Sequence, residues 1–164
     1  MSAVNGRATI RAATPADVAA IFALMMYELA EFEKLTHLFI ATERGVHDAL
    51  FGTRPAAETL VAEQDGEIVG YALFFQNFST FLGKRGLYLE DIYVRPSMRG
   101  SGLGTLMLKR LAALAVERQC ERFEWSVLDW NQNAIDFYEK MGATVLPDWR
   151  IVRVTGELLE RLAR

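Results

Sequence analysis

The segment from Leu89 to Leu106 constrains the fold of this chain more than any other. An apolar strand runs into Arg99-Gly100-Ser101-Gly102-Leu103-Gly104, with three glycines at alternate positions, and then directly into a helix. Glycine has no Cβ, so the backbone of such a turn comes within hydrogen-bond reach of a ligand. The N–H groups at the start of the following helix, together with its dipole, favour an anion. Arg99 adds a fixed charge whose forked donors suit phosphate oxygens. As a bare pattern the turn fits either a phosphate or pyrophosphate site or a tight strand-to-helix connection. Two other phosphate-binding designs are excluded. A P-loop requires lysine and then Ser or Thr after its last glycine, and here Gly104 is followed by Thr105-Leu106. A dinucleotide fingerprint opens a first βαβ unit and has an acid about 20 residues on at a strand end; this turn lies mid-chain and no such acid follows.

Around this turn the chain reads as alternating elements. Ala8 to Arg11 is a first strand. Thr14-Pro15-Ala16-Asp17 starts a helix, with Thr14 as cap, Pro15 in the first turn and Asp17 at the positive end of the dipole. That helix is predicted to reach about Glu33 on an apolar stripe of Val18, Ile21, Phe22, Met25 and Leu29. A shorter helix runs from Glu43 to Phe51. Strands follow at Thr59 to Glu63, Glu67 to Gln76 and Gly86 to Val94, the first two joined by the hairpin signal Asp65-Gly66. Arg95-Pro96 ends the third strand. A helix from the glycine turn to about Arg118, a strand from Phe123 to Leu128, a helix from Asn131 to Met141 closed by Gly142, a strand from Trp149 to Val154 and a helix from Gly156 to Ala163 complete the series. The order is β α α β β β α β α β with a terminal helix. It predicts an α/β (α+β) fold, a mixed sheet fed by an antiparallel meander with helices on both faces, in one domain over residues 1–164.

Composition matters here for what it excludes. With hydrophobic residues at 51% of 164, the chain has enough apolar mass for a core without disulfide or metal. Its net charge of −3 gives no basic footprint for nucleic acid. No apolar run approaches a membrane span, the start MSAVNGRATI lacks a leader pattern, and the lone Cys120 fits a reducing compartment. A cytoplasmic protein is expected. His37, His47 and Cys120 lack metal-ligand spacing, so no metal site is expected.

Arg99 to Gly104 resembles the Arg/Gln-x-x-Gly-x-Gly/Ala signature of the GCN5-related N-acetyltransferases (GNAT), and Asn131 to Ala143 resembles the same superfamily's second signature, Asn-x-x-Ala-x-x-Phe-Tyr-x-x-x-Gly-Ala. The order and separation of the two motifs agree with the element order. Tyr27-Glu28-Leu29-Ala30, Tyr88 to Val94 and Asp129-Trp130-Asn131 resemble the diamine (spermidine/spermine) and thialysine N-acetyltransferase branch. The resemblance spans nearly the whole chain. One departure is the minimal hairpin at Asp65-Gly66, where the eukaryotic polyamine enzymes carry an insertion.

The resemblance implies a GNAT fold, acetyl-coenzyme A as acetyl donor, a small-molecule amine as acceptor and a homodimer. It implies that the donor is held by Arg99, Gly100, Ser101, Gly102, Leu103, Gly104 and Thr105, by backbone groups of Ile92, Tyr93 and Val94, and by Asn131, Asn133, Ala134 and Tyr138. An alkylammonium has a pKa near 10, so a base must remove its proton at neutral pH. The resemblance puts that base at Glu90, acting directly or through water, where residue type without the motifs reads rather as an exposed strand carboxylate or a surface ion pair. Asp91 alternates with Glu90 and is expected on the opposite face. Tyr138, a phenol able to protonate a departing thiolate, is the acid implied by the second signature. Tyr27, Glu28, Glu31 and Glu33 crowd acidic and aromatic groups at a helix C-terminus, against its dipole, which fits an ammonium site or a solvated helix face. Tyr27-Glu28 matches the branch's amine-contacting pair, and Trp125 and Ser126 are expected to line the same pocket. The alternatives are another amine acceptor, whether amino acid, aminoglycoside or protein amine, or a non-catalytic acyl-coenzyme A sensor, which needs neither Glu90 nor Tyr138.

Overall fold

The first strand, β1 (Thr9–Ala12), and the helical stretch after it are clamped by one ion-pair network. Arg11 donates to both carboxylate oxygens of Asp17 at 2.7 and 2.9 Å and to Glu63 at 2.6 Å. Asp17 also accepts the Thr14 N–H at 2.7 Å and the Thr14 hydroxyl at 2.9 Å. The acid read as a dipole partner thus closes the helix start and ties it to the sheet. The computed structural model describes residues 8–164; residues 1–7, which hold most of the start read for a leader pattern, lie outside it.

The chain forms two units, one ending at Ser126 and one spanning Val127–Arg164. In the first, β1, β2 (Glu58–Gln64), β3 (Glu67–Ser79), β4 (Lys84–Val94) and β5 (Arg122–Trp125) make one sheet in that order, antiparallel except for the parallel pair β4–β5. The predicted hairpin is present: Asp65 and Gly66 have φ of 52° and 82°, the two left-handed positions of a type I′ turn. One face of the sheet is covered by the helical stretch, where Ile21, Leu24 and Met25 pack with Val61, Tyr71 and Tyr93. On the other, α4 (Leu103–Glu117) lies against β2, β4 and β5 with Met107, Leu108 and Leu111 buried. The short helix α3 (Glu43–Phe51), capped by Thr42, completes this unit.

The first helical stretch departs from the plain helix expected. After a 3-10 turn (Pro15–Asp17) and α1 (Val18–Ala23), residues Leu24–Leu29 form a π-helix before α2 (Ala30–Phe32). A π segment widens the turn and re-aims the residues after it, and such segments recur at functional sites.

In the second unit, α5 (Gln132–Lys140) starts at Asn131, whose side chain accepts the Ala134 N–H at 3.3 Å. It ends in a Schellman closure. Gly142 (φ 94°) donates to the Glu139 carbonyl at 2.9 Å, and Ala143 donates to the Tyr138 carbonyl at 3.1 Å. The helix α6 (Glu157–Leu162) follows.

Two strand expectations are corrected. Residues 149–154 form no strand, because the segment has no ladder partner among the described residues and its side chains bury nothing: Ile151 is 72% and Val152 91% exposed. The strand expected to reach Leu128 stops at Trp125, where its pairing with β4 ends at Leu89.

Candidate active site

The site is built at the end of β4. Its register with β3 pairs Leu73 with Asp91 and Phe74 with Leu89, leaving Glu90 as an extra residue, a β-bulge. On the other side, pairing with β5 stops at Leu89. The Arg95 N–H donates to the Val69 carbonyl at 2.9 Å, so by two-residue alternation Tyr93 also turns its backbone groups to β3. Ile92 and Val94 therefore present theirs to the open edge. The strand expected to diverge does so, with Ile92 and Val94 as the exposed donors and Tyr93 tied into the ladder.

The bulge also cancels the alternation expected of Asp91. Glu90 opposes the buried Leu89 in direction, and the extra residue returns Asp91 to that same face. Glu33, from the end of the helical stretch, is within electrostatic reach of both. The expectation that Asp91 points away from Glu90 is thus corrected. Burial, then Glu90 and Glu33, push the Asp91 carboxyl up to about 7; burial and Glu90 also raise Glu33. Beneath them Tyr71, 0% exposed, sets its hydroxyl toward Asp91, and burial, Asp91 and Glu33 drive its pKa well up. Three carboxylates under partial cover make a place that favours a cation.

The glycine turn has the conformation its sequence predicts. Gly100 and Gly102 take φ of 77° and 83°, which other residues adopt only with strain, and a Cβ at Gly100, Gly102 or Gly104 would stand in open space. The Ser101 hydroxyl accepts the Leu103 N–H at 3.3 Å, and the Leu106 N–H closes on the Gly102 carbonyl at 3.0 Å. The N–H groups of Gly104 and Thr105 remain in the unpaired first turn of α4. Arg99 lies with its guanidinium 5.2 Å from the Phe32 ring centre and 5.8 Å from that of Tyr93.

The π segment delivers Tyr27 to the surface, 65% exposed, and Glu28 to Arg95 at 3.3 Å. Burial and the Glu28 carboxylate raise the Tyr93 phenol, opposed by Arg99. Ser126 shares Glu90's face and bonds to the Tyr88 hydroxyl at 2.8 Å. Trp125 does not share it: it pairs in register with Leu89, and its ring meets Phe123 at 4.9 Å on the opposite face. Its expected place beside Ser126 is corrected by that alternation.

In the second unit Asn131 caps α5, Asn133 is exposed in its first turn, Ala134 supplies the capped N–H, and the Tyr138 ring packs 5.5 Å from that of Phe137.

Sequence reasoning missed Arg95, read only as a strand terminator, and Tyr71, which strand register sets opposite Tyr93. Among the described residues no His, Cys, Asp and Glu group could hold a metal, and no helix is long and apolar enough to cross a membrane.

The Acetyltransferase (GNAT) family matches residues 23–143. The chain is 41% identical to the thialysine N-epsilon-acetyltransferase of Mus musculus, over 85% of this chain and 88% of that one. It is 36% identical to the L-ornithine N5-acetyltransferase NATA1 of Arabidopsis thaliana, over 93% and 86%. Among solved structures, an integron cassette protein from the mobile metagenome of V. cholerae shares the fold with a TM-score of 0.81 at 23% identity, covering 96% of this chain and 98% of that one.

Proposed function

The chain belongs to the acetyltransferase (GNAT) family and is an amine N-acetyltransferase, and from that premise we propose that it moves the acetyl group of acetyl-coenzyme A onto a primary amine of a small cationic acceptor, by direct attack with both substrates bound. The observation that carries this reading is the end of β4. The bulge sets Glu90 beside Asp91 and Glu33, while the same strand offers the Ile92 and Val94 N–H groups to an open edge.

Glu90, directly or through water, takes a proton from the acceptor ammonium. The neutral nitrogen attacks the thioester carbonyl carbon, the carbon–sulfur bond breaks, the Tyr138 hydroxyl protonates the leaving thiolate, and the second proton released by the acylated nitrogen returns the phenolate to its neutral form. Free N–H groups on β4 stabilise negative charge developing on the carbonyl oxygen. The turn from Arg99 to Thr105 holds the pyrophosphate, a role its two left-handed glycines and open surface support. Asn131, Asn133 and Ala134 serve the donor from the start of α5. The acceptor's charge is met by Glu33, Glu90 and Asp91. Tyr27, Glu28 and Ser126 flank its approach, with the charge of Glu28 already balanced by Arg95. The thialysine and ornithine acetyltransferases among the relatives support an acceptor of this class, polyamine, diamine or thialysine-like.

The family match, residues 23–143, starts in the first unit and extends into the second, which supports a single acetyltransferase domain over 1–164. The free Cys120 supports a reducing, cytoplasmic setting. The exposed apolar side chains of residues 145–162 support a homodimer.

The test follows coenzyme A thiol release from acetyl-coenzyme A with polyamines, thialysine, lysine, aminoglycosides and peptides. Release with a small cationic amine is expected. Glu90→Gln should lower kcat about 10²–10⁴-fold, and Tyr138→Phe by roughly tenfold or more with coenzyme affinity unchanged. Tight coenzyme binding without release to any amine would leave only a sensor.

A further inference from the structure

The guanidinium of Arg99 does not hang free from its glycine turn. It lies over the ring of Phe32, at the end of α2, 5.2 Å from the ring centre, and 5.8 Å from the ring centre of Tyr93 on β4. The two rings are held by different means. Tyr93 is 6% exposed and packs among Ile21, Leu24, Met25 and Leu29, so its ring is fixed by the core. Phe32 stays partly exposed and is the last residue of the stretch that the π segment re-aims. Tyr93 also sets its hydroxyl toward both Glu28 and Arg99.

The same arrangement keeps the charge of Arg99 available. Glu28, the acid that shares the Tyr93 hydroxyl with it, is paired with Arg95 at 3.3 Å, and Arg95 reaches on to Glu67 at 3.5 Å. Stacking engages the faces of a guanidinium and leaves edge N–H donors for oxygens. An arginine on a glycine-rich turn otherwise samples many rotamers, and that freedom is lost when a phosphate binds. A side chain held in place beforehand loses less.

We propose that Phe32 and Tyr93 are positioning residues that hold Arg99 ready for the donor's pyrophosphate, and that Arg95 keeps Arg99 available by occupying Glu28. All three act through Arg99 and not on the reacting atoms. The clamp rests on the reading above that the turn from Arg99 to Thr105 holds the pyrophosphate. It gives the helical stretch a part in binding both substrates: Glu28 and Glu33 serve the acceptor side, and Phe32, between them in sequence, serves the donor.

The test is calorimetric binding of coenzyme A and of pantetheine, which lacks the phosphates. Arg99→Ala should weaken coenzyme A about tenfold or more, the worth of a hydrogen bond to a charged group, and leave pantetheine within about twofold. Phe32→Leu keeps an apolar side chain at a partly exposed position, and Tyr93→Phe keeps the core ring. Each should weaken coenzyme A about two- to fivefold, in line with one cation–π contact or one hydrogen bond, with pantetheine again unchanged. Phe32→Tyr retains a ring face and should bind coenzyme A as wild type does. Arg95→Gln should weaken coenzyme A as well, because it frees Glu28 to pair with Arg99. In an Arg99→Ala background none of these substitutions should change the affinity further. Full coenzyme A affinity in both Phe32→Leu and Tyr93→Phe, with the loss confined to Arg99→Ala, overturns the clamp and leaves the pyrophosphate reading standing. Equal losses for pantetheine, or losses that persist without Arg99, overturn the clamp too, since they mark a general distortion of the site. Unchanged affinity in Arg99→Ala removes the pyrophosphate reading, and the clamp falls with it.

Discussion

At Asp91 the chain keeps a carboxyl group under partial cover beside two others, and holds its proton up to about pH 7. A carboxyl whose pKa is higher folded than unfolded stabilises the fold fully below the ordinary value, about 4, and that contribution is lost as pH rises through about 7. Asp91→Asn should therefore flatten the melting temperature between about pH 4 and 7 and leave the variant more stable than wild type near pH 8. A wild-type profile in the variant would remove Asp91 from the cluster. The same ionisation draws in an ammonium, so KM for the acceptor should fall as pH rises through about 7, and Asp91→Asn should lose that dependence. Asp17 runs in the opposite sense. Arg11 holds its carboxyl well below the usual range against the cost of burial, so its contribution is present above about pH 4 and lost only in strong acid. Glu90, Tyr138 and Arg99 are proposed from sequence because a carboxylate, a phenol and a guanidinium stand at recognisable motif positions. The neighbours of Asp91 were not legible, because one inserted residue in β4 moves a side chain across the sheet and leaves no trace in composition or spacing.

Among the elements, the strand–turn–helix unit was the most legible, since glycine at left-handed positions is a requirement of the backbone rather than a preference. Gly102, at φ 83°, starts α4 with no side chain above it. Gly102→Ala should cost about 1–2 kcal/mol by chemical denaturation and raise KM for acetyl-coenzyme A severalfold, with Arg99→Ala acting in the same direction on coenzyme affinity. Unchanged coenzyme affinity in both variants would move the pyrophosphate elsewhere. The π segment at Leu24–Leu29 was hidden. Val18, Ile21, Met25 and Leu29 carry the spacing of an ordinary helix, and one widened turn does not disturb an apolar stripe enough to be read. Tertiary pairing decides it: Glu28 reaches Arg95, and Leu24, Met25 and Leu29 stay in the core.

Across the whole molecule, the residues after Gly142 carry most of their apolar side chains exposed. Val145, Leu146, Trp149, Ile151, Val152 and Val154 are all exposed, although Trp149 to Val154 reads as a strand from sequence. The homodimer proposed above would cover them. Light scattering should give a dimer mass, and Ile151→Asp with Val152→Lys should shift it to that of the monomer. A monomeric wild-type chain would discard the homodimer. The sequence by itself determined the order of elements, the hairpin at Asp65-Gly66, the glycine turn and the Asn131 and Gly142 caps, because each depends on backbone preferences within a few residues. Only the tertiary structure decided the end of the β4–β5 ladder, the bulge that gathers Glu33, Glu90 and Asp91, and the side of the sheet that Trp125 faces. Those depend on register between strands distant in sequence, where a slip of one residue reverses every side chain that follows.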